Sequence, residues 1–145
     1  MKVIDIAELE ALTLACREGL MSLADAKGST FYQFPFRACG VTSEIIGRVI
    51  WETLQFEGER VSGVHHPKLN KGVSHEWYEV GDFIVDITYD QFEDTGLTGW
   101  VFKKSNDGWH SQFPSQNRRQ GFLSPSQWGA YPSDGYRAVL DKVKN

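Results

Sequence analysis

SHEWYEVGDFIVDIT, residues 74–88, reads as two short β-strands folded back on each other. Gly81-Asp82, set between runs rich in Val, Ile, Phe, Tyr and Trp, is a two-residue hairpin signal and predicts strands over 73–80 and 83–88. With Gly81 and Asp82 as the loop, Val80 lies opposite Phe83. The same register sets Trp77 against Asp86 and His75 against Thr88. Side chains alternate faces with a period of two. One face then carries Tyr78, Val80, Phe83, Val85 and Ile87, which is a core face. The other carries His75, Trp77, Glu79, Ile84, Asp86 and Thr88. His75 and Asp86 are diagonal neighbours on that second face, roughly 7–8 Å apart at the backbone and within side-chain reach. Glu76 points to the opposite face, and Asp82 belongs to the turn. A slip of one residue would undo the pairing.

Upstream, residues 40–56 carry apolar side chains at helical spacing: Val41, Ile45, Ile46, Val49, Ile50 and Leu54. Gly58 follows as a breaker. Cys39 stands at the front of this helix. The segment before it, STFYQFPFRA (29–38), is aromatic, is interrupted by Pro35, and suits an extended stretch that pins the helix. An N-terminal amphipathic helix is expected over 5–25, with Leu9, Leu12, Cys16, Leu20 and Leu23 on one stripe, Asp5 as N-cap and Gly28 as stop. On that stripe Cys16 is a small buried hydrophobe. Residues 59–64 read as a short strand, and 65–72 as a loop.

Downstream, residues 89–132 have weak periodicity and many Gly, Ser, Pro, Gln and Asn, so one or two short strands and long surface loops are expected. Trp100, Phe102, Trp109, Phe113, Phe122, Trp128 and Tyr131 are spread through this region, and most of them are needed to fill the core of a small domain. A closing helix is expected over 133–143, with Ser133 as its N-cap. The 145 residues suit one α+β domain spanning 1–145.

Composition narrows the function classes. A net charge of −4 argues against a nucleic-acid partner, because phosphate contacts want a basic face. Two cysteines, Cys16 and Cys39, make no disulfide scaffold. The start of the chain lacks the apolar core of a secretory signal, and no run approaches the ~20 apolar residues of a membrane span. The expectation is a cytoplasmic protein without membrane contact. Export as an effector or toxin domain is compatible with a short acidic chain but has no direct support. His65 and His66 with His75 match no zinc-ligand spacing, so neither a metal nor another cofactor is expected.

What remains is Cys39, His75 and Asp86. A thiol becomes a strong nucleophile as a thiolate, and a helix N-terminus and a neighbouring imidazolium both favour that form. His75 would take the thiol proton and later protonate the leaving group, with Asp86 holding its tautomer. The reaction class is acyl transfer through a thioester. Water as acceptor gives hydrolysis or deamidation, and an amine gives transamidation. The Cys39 backbone N–H and the Gln33 side chain are candidate oxyanion donors, each of a kind typically worth ~3–4 kcal/mol in the transition state. Trp77 is expected as a wall of the site that touches substrate.

Cysteine at a helix start, His-x-Trp on one strand and Asp-x-Thr on the next resemble the transglutaminase-like branch of the papain-like cysteine peptidase superfamily. The matching text is FRACGVTSEII, SHEWYEV and FIVDITYDQF. The resemblance implies helices packed on an antiparallel sheet, a Cys39-His75-Asp86 triad, and a peptide or protein amide as substrate. Gln33 matches the upstream oxyanion glutamine of papain-type enzymes in spacing. The short distance from Cys39 to His75 fits the compact transglutaminase-like layout better than papain itself. Peptidase or amidohydrolase activity is the first expectation. Glutamine deamidation or transamidation, and an inactive binding module of the same fold, are the alternatives.

Overall fold

The computed structural model describes residues 3–120 and 133–144. It is a mixed α+β structure with an antiparallel sheet between two unlike layers. The sheet order is β4-β3-β2-β1-β5, with β1 Glu59–Val64, β2 Ser74–Val80, β3 Phe83–Val85, β4 Val101–Lys103 and β5 Ser115–Gln120. The hairpin has the expected register: Val80 pairs with Phe83, Glu79 with Ile84 and Tyr78 with Val85. Gly81 takes the positive φ (+55°) that so tight a turn demands. The second strand stops at Val85, shorter than expected. There the Asp86 N–H turns to the carbonyl of Trp100 at 3.0 Å, so residues 86–88 leave the ladder.

Helices cover one face. α1 (Ile6–Met21) begins at Asp5, whose Oδ1 accepts from the N–H groups of Ala7 (2.9 Å) and Glu8 (3.3 Å). It ends before the expected residue 25, where Ser22 donates its hydroxyl back to the Gly19 carbonyl and the chain enters turns. α2 (Cys39–Leu54) stops at Gln55, which adopts the left-handed conformation with φ +63°. Gly58, expected as the breaker, serves another purpose: a Cβ there would lie 2.1 Å from the Glu79 carbonyl oxygen. α3 (Ser133–Lys144) lies along α1, where Gly19 admits the α3 backbone at Val139. Leu9, Leu20, Ile46, Val49 and Val139 meet Tyr78, Val80, Val85 and Ile87 in this main core.

The opposite face is not left to solvent. Residues 89–113 fold back over it through short 3-10 turns at Tyr89–Gln91, Lys104–Asn106 and His110–Gln112. Val61, Trp77 and Ile84 pack there against Tyr89, Trp109 and Phe113 in a second core. The described aromatics of this region are mostly interior, as expected. Phe122, Trp128 and Tyr131 lie outside the described residues. One or two short strands were expected between 89 and 132; among the described residues there are two, β4 and β5.

A largely buried ion network, open at its Arg119 end, clamps α2 to the sheet. Glu44 of α2 meets Arg60 of β1, whose Nε donates to Glu76 of β2 at 2.8 Å, and Glu76 also accepts from Arg119 of β5 at 2.8 Å. Glu76 therefore points to the helix side, away from His75, as period-two alternation requires. Among the described residues no helix is long and apolar enough to cross a membrane.

Candidate active site

Cys39 is the first residue of α2 and is half-buried. The segment before it is a run of turns rather than an extended stretch, with Gln33 (φ +64°) and Arg37 (φ +62°) left-handed and a cis bond before Pro35. Phe31 and Phe34 enter the core and hold these turns. No side chain caps α2, so the thiol stands beside backbone N–H groups that the helix leaves free.

His75 and Asp86 meet as the hairpin predicts. The His75 Nε2–H donates to Asp86 Oδ2 at 2.7 Å, and both side chains are essentially sealed from solvent. Asp86 Oδ1 accepts from the Thr88 N–H at 3.0 Å and from its hydroxyl at 3.4 Å. Thr88 is thus a second anchor for the carboxylate rather than a plain strand residue. Phe92, Trp109 and Trp77 surround the imidazole at ring separations of 5.1, 5.8 and 5.9 Å. Opposite His75 on β1 sits Gly63, where a Cβ would strike the Phe113 ring at 2.6 Å. That glycine lets the second core close over the histidine.

Because Nε2 is committed to Asp86, Nδ1 is the nitrogen left for the thiol. Nδ1 is buried and has no hydrogen-bond partner among the described residues. Cys39 is near enough to the ring to favour its charged form. Burial opposes a charged imidazole here. The Asp86 charge and hydrogen bond, helped by Cys39, outweigh burial and push the His75 pKa up to about 9. Asp86 is held well below the usual carboxylate range: burial works against ionisation, but the charge of His75 and the hydrogen bonds from His110 and His75 prevail.

His110 stands out by no motif or spacing in the sequence. Its Nε2 donates to the same Asp86 Oδ2 at 2.7 Å, and its Nδ1 lies 3.1 Å from Asp107 Oδ1. Both ring nitrogens face carboxylates, an arrangement that favours the imidazolium. Burial resists that charge, while the Asp107 and Asp86 hydrogen bonds raise its pKa. Asp107 also accepts from the N–H groups of Trp109 (3.3 Å) and His110 (3.0 Å), which fixes the turn. No spacing rule connects Asp107 and His110 to a hairpin some twenty residues upstream.

The remaining expected residues divide. Trp77, expected to touch substrate, is 1% exposed and stands behind the imidazoles, its Nε1 donating to Glu79 at 2.8 Å. Gln33 is exposed and lines a cavity of about 660 Å³ with Tyr32, Phe36, Arg37 and Gln91. Its side chain makes no hydrogen bond to the described residues, so nothing directs it at Cys39. Gln91 also borders a second cavity of about 480 Å³, lined by Leu69, Asn70 and Phe92, and Phe92 packs on His75. Cys16 is fully buried, and burial raises its thiol to about 12. Arg17 of α1 ties these parts together. It donates to the Ile87 carbonyl at 2.6 Å, pairs with Asp90 through both terminal nitrogens, and lies over the rings of Trp100 (4.4 Å) and Phe34 (5.0 Å).

Among the described residues His65, His66 and His75 do not form a group of clustered ligand atoms. His66 accepts the Lys68 N–H at Nδ1 and donates Nε2–H to the Trp109 carbonyl, which makes it a neutral structural ring. A different trio is closer: His75, Asp86 and His110 offer ligand atoms all within 4.8 Å of one another. Tetrahedral zinc with ligands at about 2.0 Å spreads them about 3.3 Å apart. The two N···O contacts of 2.7 Å are instead the lengths of charge-assisted hydrogen bonds.

Comparisons with family models, with curated proteins and with solved structures each return no match, so the chemistry assigned to this site rests on its own geometry.

Proposed function

We propose that this protein is a cysteine-dependent acyl-transfer enzyme acting on an amide bond of a peptide or protein, with Cys39 as nucleophile, His75 as base and acid, and Asp86 as orienter. The observation that carries this reading is the state of His75. One nitrogen is locked to a buried carboxylate, and the other is left without a hydrogen-bond partner on the side of the half-buried thiol. A core histidine with only a structural role would have both nitrogens satisfied, as His66 does.

In this reading His75 Nδ1 accepts the Cys39 proton. The thiolate attacks the amide carbon, and its carbonyl oxygen becomes an oxyanion at the N-terminus of α2. Collapse breaks the C–N bond as the imidazolium protonates the departing amine, leaving a thioester. Water, deprotonated by His75, attacks the thioester; the acid leaves and the thiol is restored. Glutamine deamidation follows the same steps with ammonia as leaving group, and transamidation replaces water by an amine. Hydrolysis of a peptide amide is the first activity to assay. The arrangement also supports the resemblance to transglutaminase-like papain superfamily enzymes noted in the sequence.

The test is the rate of iodoacetamide labelling at each cysteine against pH, read by peptide mass spectrometry. Cys39 should label fast at about pH 6, well below an ordinary thiol pKa of about 8.5, and His75→Ala should abolish that low-pH reactivity. Cys16 should stay silent, as its burial requires. An ordinary thiol profile at Cys39 would replace this reading with that of an inactive binding module.

A further inference from the structure

We propose that His110, fixed between Asp86 and Asp107, is a positioning residue of the Cys39 site: a permanent second cation on Asp86 that limits how tightly Asp86 holds the proton on His75. This rests on the reading of Cys39 and His75 as a catalytic pair. In a Cys-His-Asp arrangement the carboxylate serves one imidazole. Here a single oxygen, Asp86 Oδ2, receives Nε2–H from two, each at 2.7 Å, and the two rings are stacked 6.4 Å apart. The inner end is closed by Asp107, whose side chain is 1% exposed. The result is a buried row, His75, Asp86, His110 and Asp107, in which charges alternate when His75 is protonated.

The row has a chemical consequence. A buried imidazole facing an unshared carboxylate becomes a strong base, reluctant to return its proton to a leaving amine. General acid–base work favours a pKa near the working pH. A cation on the far side of the same carboxylate offsets part of its charge, and it repels a proton on the neighbouring ring. His110 therefore draws the basicity of His75 down toward the working range while its hydrogen bond keeps Asp86 in place. The arrangement differs from a merely structural histidine, which needs one donor and one acceptor and no charge.

Other groups around the two rings do not duplicate this effect. His75 faces Cys39 from α2 and the uncharged rings of Trp77, Phe92 and Trp109. His110 faces the rings of Trp77, Phe102 and Trp109, and feels His66, which is neutral. A small cavity of about 150 Å³ reaches His110 past Lys104, Glu79 and Arg118. There the Glu79 carboxylate is already met by Arg118 at 2.7 Å and Lys104 at 3.2 Å. Asp86 and Asp107 are the anions in direct contact with the ring.

The test combines nitrogen NMR of the imidazoles with the Cys39 alkylation profile. In the wild type both nitrogens of His110 should carry protons at about pH 8, where an unperturbed imidazole with pKa about 6.5 is neutral. A ring with one unprotonated nitrogen at that pH overturns the proposal without any variant being made. His110→Gln keeps an N–H toward Asp86 and removes only the charge. It should raise the pKa of His75, and with it the alkaline limb of Cys39 reactivity, by about one unit. Asp107→Asn, which weakens the hold on the His110 proton, should shift both in the same direction. A folded His110→Gln protein with an unmoved His75 titration overturns the proposal, because a structural pin changes stability and not this pKa. The two readings fail separately. An ordinary thiol profile at Cys39 in the wild type removes the enzyme, while the His75 titration still decides the coupling. An ion-pair profile that His110→Gln leaves in place removes only the role of His110.

Discussion

Asp86 is a tightly held side chain. Its two oxygens accept from Thr88, His75 and His110, and it is 1% exposed. Asp86→Asn keeps the shape but presents an amide where two N–H donors arrive. At least one imidazole must then change tautomer, and the charge that holds the His75 proton disappears. With burial left as the dominant influence, the His75 pKa should fall from about 9 to below its ordinary value. Turnover should drop by about 10³–10⁴-fold, the penalty known for losing the orienting carboxylate of a catalytic triad. Steady-state kinetics on a cleavable peptide amide and the His75 titration check this together. A variant that keeps full activity would remove Asp86 from the mechanism.

At the level of helices and strands, the site is a meeting of two layers. Cys39 rides on α2, while His75 and Asp86 ride on the sheet, so the docking of α2 sets their separation. Glu44, Arg60, Glu76 and Arg119 form the polar part of that docking. Arg60→Met should leave the Glu44 and Glu76 carboxylates buried without their shared cation, at a cost of about 3–5 kcal/mol. Adding Glu44→Leu should recover part of it, since an apolar pair avoids desolvating two charges. Urea midpoints at unchanged slope provide the measurement. The hairpin on the other layer was legible because Gly81-Asp82 fixes its register, which directs His75 and Asp86 toward one face. α1, α2 and β1 were legible from periodicity and turn residues. The ends of α1 and α2 were not, because Ser22 and Gln55 stop them through local hydrogen bonding and a left-handed residue rather than through the glycines downstream. His110 and the burial of Trp77 were not legible either. Both depend on residues 89–113 folding over the second sheet face, a long-range event with no periodic trace in the sequence.

For the molecule as a whole, the buried row makes stability depend on pH. His75 has its folded pKa raised to about 9, so its contribution is complete below the unfolded value of about 6.5 and is lost as pH rises through about 9. His110, also raised, acts in the same direction. Asp86 is depressed, so its contribution is present above about 3.9 and is lost as pH falls from there. His66, held neutral by burial, loses its contribution as pH falls below about 6.5. Stability should therefore peak near pH 6 and decline toward pH 9, with His75 alone accounting for on the order of 3 kcal/mol. Denaturant unfolding across this range measures it. A flat profile between about pH 6 and 9 would mean that His75 is not charged in the folded state.

Arg17 lies on a helix that contributes no reacting atom. Yet its guanidinium sits between the ring of Phe34, in the turns leading to Cys39, and that of Trp100, whose carbonyl receives the Asp86 N–H, and it bonds the carbonyl of Ile87. One cation thus joins the approach to Cys39 with the approach to Asp86. A fragment cut in the turns after α1 would retain Cys39, His75, Asp86 and His110, every residue named in the chemistry, and lose the pin between the two halves of the site. A portion of this chain that keeps Cys39 and Asp86 pinned together in this way therefore has to begin before residue 17.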